Sequence, residues 1–322
     1  MTASPATGQT IQLIPNGPEI PPLGVGTWSW GDSLFWQYGK DYGVDDVQQA
    51  FTASLAAGVT FFDTAEIYGL GKSEELLGQF IQGTADPVVV ATKYFPLPWR
   101  FNAQSVADAL TASLKRLQTA TVALYQVHWP FDFLMGQKTL MNALAAEVKQ
   151  GRIQSIGVSN YSASQMHEAQ GYLAEWGIPL AVNQVQYSIL HRKIESNGVL
   201  SAASDLGMTI LAYSPLAQGL VTGKYRVASY QPPTGARRLD PRFSKDGLRK
   251  IEPVVAVLGE IGRRYDKTPA QVALNWLIGQ GGVVPIPGAK NAKQAQQNAG
   301  ALGWVLSADD HHQISEISRP WL

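Results

Sequence analysis

Eight short runs rich in apolar and β-branched residues recur along this chain, and most are separated by a stretch with the period of a helix. The runs are 23–27, 60–63, 88–92, 121–127, 153–158, 181–186, 209–212 and 282–286. Several are apolar throughout, as expected for strands covered on both faces in a parallel sheet. The segments 45–57, 102–117, 140–149, 162–176 and 269–280 are amphipathic at helical spacing. Gly58 and Gly151 follow two of them, Asn102, Ser162 and Thr268 are placed as N-caps, and Pro269 lies just inside a helix start. This alternation predicts an α/β protein, a (β/α)8 TIM barrel formed by residues 1–322 as one domain with its core at about 20–318. A doubly wound open sheet is the alternative, but eight evenly spaced units favour closure.

Two segments fall outside the repeat. Residues 10–22 carry Asn16-Gly17 between short apolar runs, which predicts an N-terminal β-hairpin cap ahead of the first barrel strand. Residues 224–250 are rich in Pro, Gly, Arg and Lys without an apolar period. They read as a long loop after the seventh strand, at the C-terminal mouth where barrel active sites form.

Composition narrows the function. The 322 residues are 45% hydrophobic and 16% charged, enough apolar material for a large core and too much for a disordered chain. With 25 Lys+Arg against 25 Asp+Glu there is no basic surplus, so nucleic acid is not an expected partner. The absence of cysteine excludes disulfides, thiol catalysis and Cys-ligated metal centres. No apolar run approaches the roughly 18 residues of a membrane span. Residues 1–9 have neither a basic start followed by an apolar stretch nor an Arg-rich character, which predicts a cytoplasmic protein.

Three tempting motifs fail. Gly69-Leu70-Gly71-Lys72-Ser73 ends like a P-loop, but Glu66 stands where the first glycine is required. Gly24-Val25-Gly26 runs on into Thr27-Trp28-Ser29, so no Rossmann fingerprint follows a strand. His311 and His312 are adjacent in a polar helical segment, point in different directions, and are expected on the solvated surface rather than on a metal.

Four residues at strand ends carry the chemistry. Asp63 ends the second run, Tyr68 follows in its loop, Lys93 ends the third, and His128 ends the fourth. In a parallel barrel these ends share one mouth, so an acid, a phenol, an amine and an imidazole converge there. A lysine and an aspartate directly after apolar strands are costly unless paired, and each is the other's natural partner.

With these residues in view, the chain resembles the aldo-keto reductase superfamily, of the broad bacterial and plastid type. The resemblance rests on Phe62-Asp63-Thr64-Ala65-Glu66-Ile67-Tyr68-Gly69, Ala91-Thr92-Lys93, Gln126-Val127-His128-Trp129-Pro130 and Ile156-Gly157-Val158-Ser159-Asn160. It continues through Asn183-Gln184-Val185-Gln186-Tyr187, Ala212-Tyr213-Ser214-Pro215-Leu216 and Ile286-Pro287-Gly288-Ala289-Lys290, in the family's order from about residue 20 to residue 306. It implies a barrel that binds NADP(H) without a Rossmann domain. It further implies that Tyr68 is the general acid, that Lys93 lowers the phenol's pKa, that Asp63 holds Lys93, and that His128 donates a hydrogen bond to the carbonyl oxygen.

The same resemblance assigns the cofactor contacts. Ser159, Asn160 and Gln184 would hold the nicotinamide carboxamide, and Tyr213 would stack on the ring. Ser214, Leu216 and Gly219 would meet the pyrophosphate, with Lys224 and Arg237 closing over the phosphates. Gly288 and Lys290, followed by Gln294, Gln297 and Asn298, would face the adenosine 2′-phosphate, which favours NADPH over NADH. Thr27, Trp28 and Asp63 complete the set.

For the substrate, a small aldehyde or ketone, the aromatic residues near the mouth are Trp28, Trp30, Tyr94, Trp99, Trp129, Phe131 and Phe133, with the first four and Trp129 forming the pocket. Arg100 is expected to be exposed, with steering of an anionic carbonyl compound as the alternative. The expected activity is NADPH-dependent carbonyl reduction, with aldehyde detoxification among its uses. The alternative is an NADP(H)-binding redox-sensing subunit with slow turnover, resembling the potassium-channel β subunits. Both monomers and larger assemblies are compatible with this fold.

Overall fold

The computed structural model describes residues 10–131, 135–233, 237–238 and 240–322. A two-stranded antiparallel hairpin comes first, β1 (Ile11–Gln12) against β2 (Glu19–Ile20). Its turn is closed by the Gly17 N–H donating to the Ile14 carbonyl at 3.0 Å, and Asn16 takes the left-handed backbone, φ 57°, that asparagine tolerates. Leu13 and Ile20 pack with Phe61, Leu124, Val182, Leu211 and Val284. The hairpin is thus a floor under the barrel interior, as the Asn16-Gly17 signal predicts.

Eight parallel strands follow: β3 (Val25–Gly26), β4 (Phe61–Asp63), β5 (Val89–Tyr94), β6 (Val122–Val127), β7 (Ile153–Ser159), β8 (Leu180–Gln186), β9 (Thr209–Tyr213) and β10 (Val283–Pro285). Each pairs with its neighbour in sequence order. The ring closes between first and last, where Gly24 N–H donates to the Pro285 carbonyl at 3.0 Å and Gly26 N–H to Pro287 at 3.1 Å. A Cβ on Gly26 would lie 2.9 Å from the Ile286 carbonyl oxygen, so glycine is what permits the approach.

The surrounding helices are α1 (Val44–Ala56), α2 (Lys72–Gln82), α3 (Ala103–Leu117), α4 (Gln137–Lys149), α5 (Ala163–Ala174), α6 (Val199–Asp205), α7 (Lys245–Tyr265), α8 (Pro269–Ile278), α9 (Ala292–Ala299) and α10 (Ala308–Ile317). Asn102 caps α3 by accepting from the Ser105 N–H at 3.0 Å. Ser162 and Thr268 form capping boxes with Gln165 and Gln271, each cap worth about 1 kcal/mol.

α2 buries Ser73 and Glu74 beside Leu76, Leu77 and Phe80. Glu74 is compensated there by the Thr92 hydroxyl at 2.5 Å and Arg116 Nε at 2.6 Å. The segment 224–250 is not loop throughout: Ser244 caps α7 by accepting from the Gly247 N–H at 3.0 Å, and Leu248 is already buried. Finally, the two histidines of α10 differ: His312 is exposed, whereas His311 is partly buried, stacked on Trp276 with ring centroids 5.7 Å apart and planes 20° apart.

Candidate active site

The parallel strands deliver Asp63, Lys93 and His128 to one end of the barrel, and the 3₁₀ turn after β4 returns Tyr68 over them. Lys93 Nζ lies 2.5 Å from Asp63 Oδ1 and 2.7 Å from the Thr64 carbonyl. It donates to Tyr68 Oη at 3.3 Å. Asp63 and Lys93 are both buried, so an aspartate and an ammonium that would each be costly alone are matched. The rings of Tyr68 and His128 meet edge to face, centroids 5.6 Å apart.

The second carboxylate oxygen of Asp63 has partners that the sequence reading did not anticipate. Gln126 Nε2 donates to Oδ2 at 3.0 Å and Gln184 Nε2 at 2.8 Å. Gln126 fits because its parallel neighbour on β7 is Gly157, where a Cβ would come within 2.9 Å of the Gln126 side chain. The strand alternation carries the signal for Gln126: on β6 it faces the same interior as Lys93 does on the neighbouring strand, where the two are register partners.

The electrostatics follow from burial. Burial pushes the Lys93 ammonium toward a lower pKa, but Asp63 and then Tyr68 outweigh it and hold the group above its ordinary value. For Tyr68, burial raises the phenol pKa; Lys93 pulls it down, as expected, yet the net direction is upward. The tetrad alone therefore keeps the phenol protonated. Burial and the Lys93 charge hold His128 well below the usual imidazole range, so it is a neutral ring at pH 7. Its Nδ1 is buried with no hydrogen-bond partner among the described residues.

The tetrad opens into a cleft of about 1330 Å³ along the barrel mouth. Ser159, Asn160, Gln184 and Tyr213 line it near the tetrad. They are already linked: Tyr213 Oη donates to Asn160 Oδ1 at 3.0 Å, and Asn160 Nδ2 to Ser159 Oγ at 3.0 Å. Ser214, Leu216, Gly219 and Lys224 also line it; Ser214 and Gly219 have φ of 51° and 98°. Gly288, Lys290, Gln294, Gln297, Asn298 and Arg237 line the cleft as well. Lys290 is held down to about 8 by burial and by the Arg237 and Lys224 charges, with Asp41 and Asp32 acting the other way. An elongated groove with amide groups near the tetrad and a cationic corner fits a dinucleotide phosphate in both shape and charge.

Four assigned residues lie elsewhere. Thr27 is buried, its hydroxyl donating to the Asp63 carbonyl at 3.0 Å, and it is not on the cleft. Trp30 is wholly buried and donates through Nε1 to the Ala289 carbonyl at 2.8 Å, packed against Phe62 and Phe80. Tyr94 is buried beside Arg100, away from the cleft. Trp99 is 67% exposed and off the cleft. Trp28 and Trp129 do line it, with Phe35 and Trp36 as unanticipated neighbours. Phe131 stacks on Trp129 at 5.7 Å, and Phe133 lies outside the described residues. Arg100 is neither exposed nor free: its two terminal nitrogens grip Glu66, Nη2 to Oε2 at 2.9 Å, and it donates to the Phe95 carbonyl at 2.9 Å.

Among the described residues no helix is long and apolar enough to cross a membrane, and no cluster of three His, Asp or Glu is placed to hold a metal ion.

The chain is 39% identical over 321 residues to the chloroplastic pyridoxal reductase of Arabidopsis thaliana, covering 96% of this chain and 86% of that one. The glycerol dehydrogenase of Gluconobacter oxydans superposes with a TM-score of 0.85 at 26% identity, over 97% of this chain and 96% of its own. An aldo-keto reductase from Klebsiella pneumoniae, solved in complex with NADPH, superposes with a TM-score of 0.72 at 29% identity, over 93% and 92% of the two chains. The family model described as the aldo/keto reductase family matches residues 22–319, and the chain belongs to that family of oxidoreductases.

Proposed function

We propose that this chain, acting as one catalytic unit, is an NADPH-dependent carbonyl reductase that converts aldehydes or ketones to alcohols, with Tyr68 as the proton donor. The observation that carries the reading is Lys93 Nζ placed between Asp63 Oδ1 at 2.5 Å and Tyr68 Oη at 3.3 Å at the floor of the cleft. When bound, the reduced dinucleotide supplies the hydride. Asn160, Ser159 and Gln184 would hold its carboxamide, Tyr213 its ring, the 214–219 loop and Lys224 its pyrophosphate, and Lys290 its 2′-phosphate. The NADPH complex of the Klebsiella relative supports that choice of cofactor.

The chain's own groups do the remaining work. Tyr68 carries the proton destined for the carbonyl oxygen, and a phenol held above its ordinary pKa is fully protonated at neutral pH. Lys93 stabilises the phenolate left behind by being 3.3 Å from Oη and charged. Asp63 keeps Lys93 charged, and Gln126 and Gln184 fix the carboxylate in place by donating to its other oxygen. His128, neutral and beside Tyr68, offers a ring N–H to the carbonyl oxygen without competing for the proton.

Trp28 and Trp129 wall the substrate end, and the Arg100 charge is already neutralised by Glu66. Uncharged, flat carbonyl compounds fit best. The Arabidopsis relative is named for pyridoxal, a flat aromatic aldehyde, so pyridoxal and substituted benzaldehydes are the first compounds to test. Steady-state oxidation of NADPH with such a panel is expected to show turnover well above one per minute. Turnover below that for every carbonyl compound would contradict the reading.

A further inference from the structure

Lys290 and Arg237 share an aromatic floor. Trp36 lies in the loop between β3 and α1, whereas Lys290 follows β10 and Arg237 comes from the long segment after β9. Lys290 Nζ is 4.9 Å from the centroid of the Trp36 ring and 4.2 Å from that of Tyr42. It also donates to the Trp36 carbonyl at 3.1 Å. The Arg237 guanidinium carbon stands 5.3 Å from the same indole. Both cations therefore rest on one ring.

Two like charges brought together repel, and the Arg237 charge is one of the influences that depress Lys290. The negative face of an indole offsets such repulsion and holds a cation without neutralising it. A carboxylate in that place would hold the cations equally well but would repel an incoming phosphate. The corner also keeps unused donors: Trp36 Nε1 and Arg237 Nε are buried without a hydrogen-bond partner among the described residues. Buried donors of this kind call for acceptor oxygens.

We infer that Trp36 is a platform that preorganises Lys290 and Arg237 for the 2′-phosphate of NADPH, and is thereby a specificity-determining residue for NADPH over NADH. This rests on the assignment of Lys290 to the 2′-phosphate. Because the cations are held together before the ligand arrives, the phosphate gains both charges without the cost of assembling them. Trp36 also meets Trp28 edge to face at 5.3 Å, and Trp28 faces the Tyr68 ring at 6.3 Å. A role confined to propping Trp28 would act on both nucleotides alike, which the test separates.

The probes are adenosine 2′,5′-bisphosphate and adenosine 5′-monophosphate, which differ only in the 2′-phosphate, titrated calorimetrically against the full chain. Trp36→Leu is expected to weaken the bisphosphate by about 5- to 20-fold while the monophosphate changes by less than about twofold. Trp36→Phe, keeping a weaker aromatic face, is expected to lose about threefold and decides the matter if the leucine variant does not fold. Lys290→Ala tests the underlying assignment separately. If it lowers the affinity ratio and the Trp36 variants do not, or if they raise it, the platform is wrong and the 2′-phosphate assignment stands. If Lys290→Ala leaves the ratio unchanged, the assignment fails and the inference with it.

Discussion

Gln126 donates through Nε2 to Oδ2 of Asp63 at 3.0 Å, from a strand-interior position with no exposure to solvent. Removing one partner of a buried hydrogen bond to a charged group leaves the charge under-solvated. Gln126→Leu is expected to cost about 1–3 kcal/mol of stability by denaturant unfolding. The Asp63 charge would then be less offset by donated hydrogen bonds, and that charge raises the Tyr68 phenol pKa. The pH profile of alcohol oxidation, which needs the phenolate, is expected to shift to higher pH. A loss of stability with an unmoved profile would reduce Gln126 to a packing role.

The Lys290 corner predicts a pH-dependent cofactor preference. Its pKa of about 8 in the free protein is raised when a 2′-phosphate binds beside it, so binding takes up a proton above that value. The dissociation constant for NADPH is expected to be flat between about pH 7 and pH 8, where the 2′-phosphate is dianionic, and to rise as pH goes beyond that, by up to about tenfold per unit. That for NADH, lacking the phosphate, is expected to stay level across the same range. Parallel curves for the two nucleotides would contradict the assignment.

His128 makes a prediction about stability. Its folded pKa lies well below the ordinary imidazole value of about 6.5, so the unfolded chain binds more protons at this site at mildly acid pH. The sign is that its contribution is complete above about pH 6.5 and is lost as pH falls toward the folded pKa. Between pH 8 and pH 5, wild-type Tm is therefore expected to fall more than that of His128→Gln, which cannot take up the proton. An equal fall in the two proteins would mean that His128 protonates as easily in the native state as in the unfolded one.

The sequence carries the barrel and the tetrad because both follow from strand direction. Once eight parallel strands alternate with helices, Asp63, Lys93 and His128 must emerge at one mouth. The misassigned aromatic residues fail for equally plain reasons. Tyr94 follows Lys93 on β5, and neighbours in a strand face opposite sides; an inward Lys93 already sends Tyr94 outward into the helix layer. Trp30 lies two residues after Trp28, but the turn closed by Trp30 N–H on the Thr27 carbonyl at 2.8 Å points them apart. No periodicity reports such a turn. Trp36 depends on the loop after the first barrel strand meeting those after the last two, which is a property of the closed ring, and Arg100 on its loop folding back onto Glu66 after the neighbouring β4.

The most direct measurement is the rate of NADPH oxidation by Tyr68→Phe in a single turnover with a saturating aromatic aldehyde, alongside titration of the same variant with NADPH. The rate is expected to fall by about 10²- to 10⁴-fold with NADPH affinity changed by less than about twofold, because the phenol oxygen serves the carbonyl rather than the nucleotide. A rate within a few-fold of wild type would show that the proton comes from elsewhere and would overturn the central claim.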